Sequence, residues 1–201
     1  MMKRRRSDVS ELRMMTFPEA EVPVELRRQM LALQYQAWPA VEAIGGPWHD
    51  PALAPVSALL VRDDGKVLAA LDVLSKEVEH AGDRWSASGL AAVVTDEAER
   101  GHGYGGRLVA EARRSIAASG VDIGLFTCDA PLLGFYERAG WEHLPGTVLI
   151  GGTPDDPFPS DGDGFDKATL GGFFSGRAQA QREAFLGVRI ELYPGSIDRL
   201  W

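Results

Sequence analysis

The sequence has one cysteine, Cys128, among 201 residues. A single thiol excludes an intramolecular disulfide and any cysteine-rich zinc site. No apolar run approaches the ~18 residues that a membrane span needs. The basic start, Lys3-Arg4-Arg5-Arg6, is not followed by an apolar stretch before Glu11, so a secretory signal is not expected. No internal repeat or low-complexity linker interrupts the chain. Positive charge is scarce: 21 Lys and Arg stand against 29 Asp and Glu, a net charge of −8. Setting aside the four basic residues at the start leaves 17 against 29, or −12. A body this acidic is a poor binder of polyanions, so neither nucleic acid nor a membrane surface is expected as a partner. A small cationic substrate suits it better. The resulting expectation is a cytoplasmic protein with a flexible basic tail over residues 1–15 and a single domain over 16–201. A homodimer is left open.

What is present reads as a globular chain, 45% hydrophobic and 25% charged. Val22 to Gln36 predicts a helix, with Val24, Leu26, Met30, Leu31 and Leu33 apolar among charged residues. Pro39 and Gly45-Gly46-Pro47 break it. Val56–Arg62 and Lys66–Val78 predict two strands around the hairpin signal Asp63-Asp64-Gly65. The turn His80-Ala81-Gly82-Asp83 leads to a third strand, Trp85–Val94. An amphipathic helix follows over Tyr104–Ala118, with Leu108, Val109, Ala112 and Ile116 on one face and Gly120 as its stop. Val121–Thr127 predicts a strand, and Leu132–Ala139 a short helix ended by Gly140. Beyond them come strands over Thr147–Ile150 and Lys167–Phe174, a helix over Gly176–Leu186 and a last strand over Val188–Tyr193. The strand–helix–strand unit from Trp85 to Thr127 implies a parallel pair in an otherwise antiparallel sheet. The expected class is therefore mixed α/β.

The chemistry concentrates at Arg100-Gly101-His102-Gly103-Tyr104-Gly105-Gly106, between a strand and a helix. Glycines there let backbone approach a ligand, and the helix start offers orphan N–H groups to phosphate. Two readings compete. As G-x-G-x-x-G, Gly101, Gly103 and Gly106 match the dinucleotide fingerprint, with Asp129 as a ribose acid. That fingerprint follows its strand almost directly, whereas Thr95-Asp96-Glu97-Ala98-Glu99 intervenes here. As R-x-x-G-x-G, the residues are Arg100, Gly103 and Gly105. A second motif, Gly134-Phe135-Tyr136-Glu137-Arg138-Ala139-Gly140-Trp141, follows the next strand.

The second reading and this late motif together resemble the GNAT superfamily of N-acetyltransferases, over roughly Val56 to Ile150. The resemblance implies a mixed, mostly antiparallel sheet with a splayed parallel pair and helices on both faces. It implies acetyl-CoA as co-substrate and a small-molecule amine as acceptor. Residues Arg100, Gly101, His102, Gly103, Tyr104 and Gly105 would hold the pyrophosphate. The backbone of Ala92, Val93 and Val94 would pair with the pantetheine arm. Tyr136 matches the family's general acid; a phenol is protonated at neutral pH and can donate to sulfur. The family's strand glutamate is missing from Ser86-Ala87-Ser88-Gly89-Leu90. That leaves a water path from Ser88, or Glu77, Glu79, His80 or His102, as candidate base. Cys128 is expected to line the pocket.

The distal third is similar to the aminoglycoside 2'-N-acetyltransferases, on Pro145-Gly146-Thr147-Val148-Leu149, Thr153-Pro154-Asp155-Asp156 and the final Trp201. By that likeness Asp155, Asp156, Asp198 and Trp201 would bind an aminosugar, and Trp48, after the first helix, is expected to roof the acceptor site. Asp161-Gly162-Asp163-Gly164 hints at calcium, but an EF-hand needs Glu where Gly172 stands, so no metal is expected. The expected function is acetyl transfer to a cationic amine such as an aminoglycoside or polyamine. A non-catalytic acyl-CoA module, or a NAD(P)-dependent reductase on the first glycine reading, is the alternative.

Overall fold

The structure is a computed structural model that describes residues 11–39, 49–165 and 167–193. It opens with β1 (Leu12–Pro18) and α1 (Val24–Ala37). Strands β2 (Val56–Arg62), β3 (Val67–His80) and β4 (Asp83–Thr95) form the expected meander. The β3–β4 turn places Ala81 at φ 53° and Gly82 at φ 81°. Two left-handed residues in a two-residue loop match the right-handed twist of the strands they join. Then come α2 (Tyr104–Ala118), β5 (Ile123–Asp129) and α3 (Leu133–Arg138). The distal part holds β6 (Glu142–His143), β7 (Val148–Gly152), β8 (Pro157–Pro159), β9 (Lys167–Phe173), α4 (Gly176–Ala180) and β10 (Arg189–Glu191).

Seven strands form one sheet in the order β1-β2-β3-β4-β5-β9-β6; β10-β7-β8 form a small second sheet. Within the large sheet only β4 and β5 run parallel, and the other pairs are antiparallel. The period of two in β2 sorts its residues onto two faces. Ala58 and Leu60 pack with Leu108, Val109, Ala112 and Ile116 of α2. Leu59 and Val61 pack with Met30 and Leu33 of α1. The helices therefore cover opposite faces of one sheet, which needs a strand that is apolar on both sides.

Two expectations require correction. Leu12 to Met15, assigned to a loose tail, form the first half of β1 and pair with Arg62 to Leu59 of β2. No side chain of this edge strand is fully buried, so its sequence carries no clean alternation. The helix expected over Gly176–Leu186 divides into α4 and a separate 3-10 turn over Arg182–Phe185.

The closed end of the parallel pair is held by Asp122. Its Oδ2 accepts from the Ser86 N–H at 3.2 Å and the Ser86 hydroxyl at 3.0 Å. Ser175 Oγ donates to Oδ1 at 2.7 Å, and Arg177 donates to both oxygens. Arg177 also lies over the Trp85 ring, 4.3 Å from its centroid. The Arg177 guanidinium, then the hydroxyl and amide donors, hold the Asp122 carboxyl well below its ordinary value of 3.8 despite opposing desolvation. A depressed carboxyl contributes stability above that ordinary value, and the contribution is lost as pH falls through the folded-state value. Asp122→Ala is expected to cost roughly 2–3 kcal/mol, since it strands several donors at once. In urea melts the difference from wild type should be full at pH 7 and shrink below pH 4. A loss that stays constant down to pH 2 would show that the carboxylate charge is not what matters.

Candidate active site

The turn between β4 and α2 builds the start of a helix without the usual cap. Gly103 is the N-cap residue, at φ 80° and ψ 5°. Gly101 lies at φ 83°. L-residues reach that region only with strain. No side chain caps α2, and no acid stands in its first turn. Helix starts are ordinarily filled by Ser, Thr, Asp or Asn, so an uncapped and acid-free start keeps its donors for something else. The first amide satisfied inside the helix is that of Arg107, which donates to Gly103 O at 3.0 Å. The amides of Tyr104, Gly105 and Gly106, aided by the helix dipole, are donors that could hold an anion.

Ion pairs fix the approach to this turn. Lys66 Nζ contacts Asp96 at 2.8 Å and Glu99 at 2.9 Å. Hydrogen bonding to Lys66 is the largest cause lowering the pKa of each carboxyl. Asp96 Oδ1 also accepts from the Ala98 amide, capping the 3-10 turn over Glu97–Glu99. Glycine serves two separate purposes in the turn. At Gly101 and Gly103 a Cβ would meet nothing within 4 Å, and φ alone demands glycine. At Gly105 a Cβ would lie 2.6 Å from Thr95 Oγ1, so here it is room that demands glycine.

The uncapped helix start forms one end of a cleft of 590 Å³. Its floor is Val93, Val94 and Thr95 at the end of β4, and Leu132, Phe135 and Tyr136 form one wall. Ala37, the last residue of α1, reaches it from the other face of the sheet. The cleft exists because β4 and β5 separate. They pair only at Ala87–Ile123 and Ser88–Gly124. Further along, Ala70 pairs with Val94 and Asp72 with Ala91, so Ala92 and Val93 together oppose Leu71. This is a β-bulge, and it holds Ala92 at φ 48°. A non-glycine residue held there marks a stored strain of the kind found at functional sites.

Tyr136 is 6% exposed, edge-on to Phe126 and Phe135. Burial first, then the nearby Cys128 and Asp129, push its phenol well above the ordinary range. It therefore carries its proton across the whole neutral range. Cys128, 5% exposed, is likewise pushed up to about 11 by burial, so its thiol is not a nucleophile at neutral pH.

The cleft thus brings together Val93, Val94, Arg100, Gly101, Gly103, Tyr104, Gly105 and Tyr136. Ala92 lies beside it at the bulge. His102 is exposed, stacked on Tyr104, with Nδ1 3.1 Å from Glu99 O. Ser88 is 2% exposed at the last parallel rung, its Oγ 2.7 Å from Ser75 Oγ. Glu77, Glu79 and His80 lie toward the far hairpin of β3 and β4; the partner residues of Glu79 and His80 on β4 are nine and ten positions before Val93, about 30 Å away along the strand. Asp155 and Asp156 are exposed between β7 and β8 and do not line the cleft. Trp48, Asp198 and Trp201 fall outside the described residues. Ala37, Thr95, Leu132 and Phe135 were not foreseen. Phe135 stood inside the late motif, while Ala37 reaches the cleft only through the crossing of α1 over the sheet.

The dinucleotide reading fails on this geometry. The sheet has one short parallel pair, and Asp129 Oδ1 is held by Lys167 Nζ at 2.5 Å. Residues 24–144 match the family model of the acetyltransferase (GNAT) domain. The chain belongs to the GNAT acetyltransferase family. It has the fold of solved members. One is the GNAT family N-acetyltransferase YhbS from Escherichia coli in complex with CoA, at 19% identity and a TM-score of 0.57, covering 92% of this chain and 89% of that one. Another is an acyl-CoA N-acyltransferase from Pseudomonas aeruginosa, at 18% identity and 0.55, covering 80% and 99%. A conserved Enterococcus faecalis V583 protein described as a "Probable N-Acyltransferase" matches at 17% and 0.55, covering 67% of this chain, and there the chain spans only 33% of the longer protein. No curated protein matches the sequence.

The protein is an acetyl-CoA-dependent N-acetyltransferase. The uncapped, acid-free start of α2 fits a pyrophosphate, and the floor at Val93–Thr95, which β5 leaves unpaired, fits an extended arm. When bound, acetyl-CoA supplies the thioester from which the acetyl group leaves. Among the described residues no cluster of His, Cys, Asp or Glu could hold a metal ion, and no helix is long and apolar enough to cross a membrane.

Proposed function

We propose that this GNAT enzyme acetylates a primary amine on a small cationic acceptor, an aminoglycoside-like aminosugar first and a polyamine second. The observation that carries the site assignment is that one cleft joins the uncapped start of α2 to the buried phenol of Tyr136. In this reading Arg100, Gly101, His102, Gly103, Tyr104 and Gly105 hold the pyrophosphate, with Arg100 contributing a fixed positive charge. The backbone groups of Ala92, Val93 and Val94 that β5 leaves unpaired bind the arm. Tyr136 hands its proton to the departing sulfur. Ser88, tied to Ser75 at the vertex where β4 and β5 part, starts the path by which water removes a proton from the amine.

Charge supports the acceptor class. The balance outside the first six residues is −12. Asp161 is paired with Arg189 at 2.7 Å, but Asp155, Asp156 and Asp163 form no ion pair among the described residues. Exposed carboxylates raise the local concentration of cations over a Debye length of ~8 Å at 0.15 M salt. The sequence likeness of the distal third to aminoglycoside 2'-N-acetyltransferases suggests the same acceptor class, with Asp198 and Trp201 as further contacts, and Trp48 roofs the acceptor site.

The test is kcat/KM against ionic strength for aminoglycosides, polyamines and neutral amines. Electrostatic capture gives a several-fold fall between 0.02 and 0.3 M salt for the cationic acceptors (values on the order of those that change the Debye length twofold or more). The fall should be shallower in an Asp155→Asn/Asp156→Asn double variant. A neutral amine used best, with no salt dependence, overturns the acceptor class and leaves the acetyltransferase assignment untouched.

A further inference from the structure

The start of α2 is free of acid, but the run that leads to it is not. Asp96, Glu97 and Glu99 put three carboxylates into the four residues before Arg100. Glu99 itself lines the cleft, together with Arg100, Gly101 and Gly103. A diphosphate settling at this turn therefore brings negative charge toward negative charge. The repulsion grows where the cleft keeps water out, unless the carboxylates are cancelled.

The one base of the run, Arg100, reaches Glu97 at 3.4 Å, and both side chains are more than half exposed, so water screens that pair. Asp96 and Glu99 are the enclosed carboxylates, with side chains 12% and 17% exposed. Their cations come from the hairpin that joins β2 to β3. Lys66 Nζ stands between them, 2.8 Å from Asp96 Oδ2 and 2.9 Å from Glu99 Oε1. Arg62 Nη1 reaches the same Glu99 oxygen at 3.2 Å, but its Nη2 is taken by Asp64 at 2.8 Å. The hairpin that presents Lys66 is closed by the Arg62 N–H donating to Lys66 O at 2.9 Å, with Gly65 at φ 85°. Hydrogen bonds to Asp96, then to Glu99, hold the ammonium above its ordinary pKa, so it stays charged across the neutral range. One ammonium thus ties the Glu99 carboxylate to the hairpin and lowers the negative charge that a diphosphate meets.

We propose that Lys66 is a positioning residue for the co-substrate: by tying and neutralising Glu99 at the mouth of the cleft, it lets the diphosphate of acetyl-CoA approach the start of α2. It acts on the phosphates through Glu99 and touches no reacting atom. The inference rests on the reading of α2 as the pyrophosphate site and not on the acceptor class.

The experiment is kcat/KM of the full chain with acetyl-CoA and with acetyl-pantetheine, a thioester arm without the diphosphate, on the amine that turns over fastest. In Lys66→Met the value for acetyl-CoA should fall about tenfold, the effect of one uncancelled charge near a polyanion, while that for acetyl-pantetheine stays within about twofold. The loss should lie in KM, with kcat at saturating acetyl-CoA near wild type. Adding Glu99→Gln to Lys66→Met should restore most of the acetyl-CoA value, since removing the charge substitutes for cancelling it. Lys66→Arg should stay close to wild type. Where Lys66→Met does not fold, Glu99→Gln alone decides: it should raise kcat/KM for acetyl-CoA about threefold and leave acetyl-pantetheine unchanged. Equal losses on both thioesters, no loss, no restoration by Glu99→Gln in the double variant, or no gain from it alone overturns the assignment and leaves Lys66 as a brace for the turn. A wild type that uses acetyl-pantetheine as well as acetyl-CoA would instead overturn the phosphate site on α2, and the inference with it.

Discussion

Replacing Tyr136 by phenylalanine is expected to lower kcat about 10²-fold, the size of effect that a lost general acid produces. The ring is buried between Phe126 and Phe135, and phenylalanine keeps those edge contacts. Folding and acetyl-CoA affinity should therefore stay near wild type. The pH profile supplies an independent check. Burial holds the phenol protonated far above its ordinary pKa. Wild-type kcat should then show no fall from phenol ionisation up to about pH 10, the ordinary value. Single-turnover rates on the amine that turns over fastest isolate the chemical step. Unchanged single-turnover rates in the variant would remove Tyr136 from the reaction.

The second large effect is expected from Gly103→Val. The residue holds φ 80° at the N-cap of α2, where a β-branched side chain is strained. Relaxing that strain turns the amides of Tyr104, Gly105 and Gly106 away from their common focus. Acetyl-CoA affinity should fall 100-fold or more, or on the order of 3 kcal/mol at 1.4 kcal/mol per decade. The cradle is an exposed turn, so far-UV circular dichroism should be nearly unchanged. A Gly105→Ala variant serves as contrast. Its Cβ meets Thr95 Oγ1, so it should lose stability along with affinity. Wild-type affinity in Gly103→Val would move the phosphate site elsewhere.

Much of this architecture was readable in advance, for identifiable reasons. Strands β2 to β4 and helix α2 carry strong periodicity bounded by turns, and their ends fall within a few residues of the expectation. The parallel pair followed from having a helix between two strands. Edge strand β1 escaped notice because an edge has one neighbour and no buried alternation. The two-residue β6 and three-residue β8 are too short to carry any pattern, and exist through pairing with β9 and β7. In the site, the glycine turn and Tyr136 were legible as a motif. The bulge at Ala92 was not, since alanine gives no sign of a left-handed conformation imposed by register with Leu71 and Asp72. The clasp at Asp122 depends on Ser86, Ser175 and Arg177, which only the fold brings together.

The most direct measurement of the central claim is release of free thiol from acetyl-CoA by the wild-type protein, read with a thiol reagent against a panel of amines. Mass spectrometry of each amine runs in parallel. The expected result is thiol release that depends on both enzyme and amine, matched one for one by acetylated amine and fastest with a polycationic acceptor. Thiol release that stays at the spontaneous rate with every amine, in a protein that is folded by circular dichroism, would contradict it.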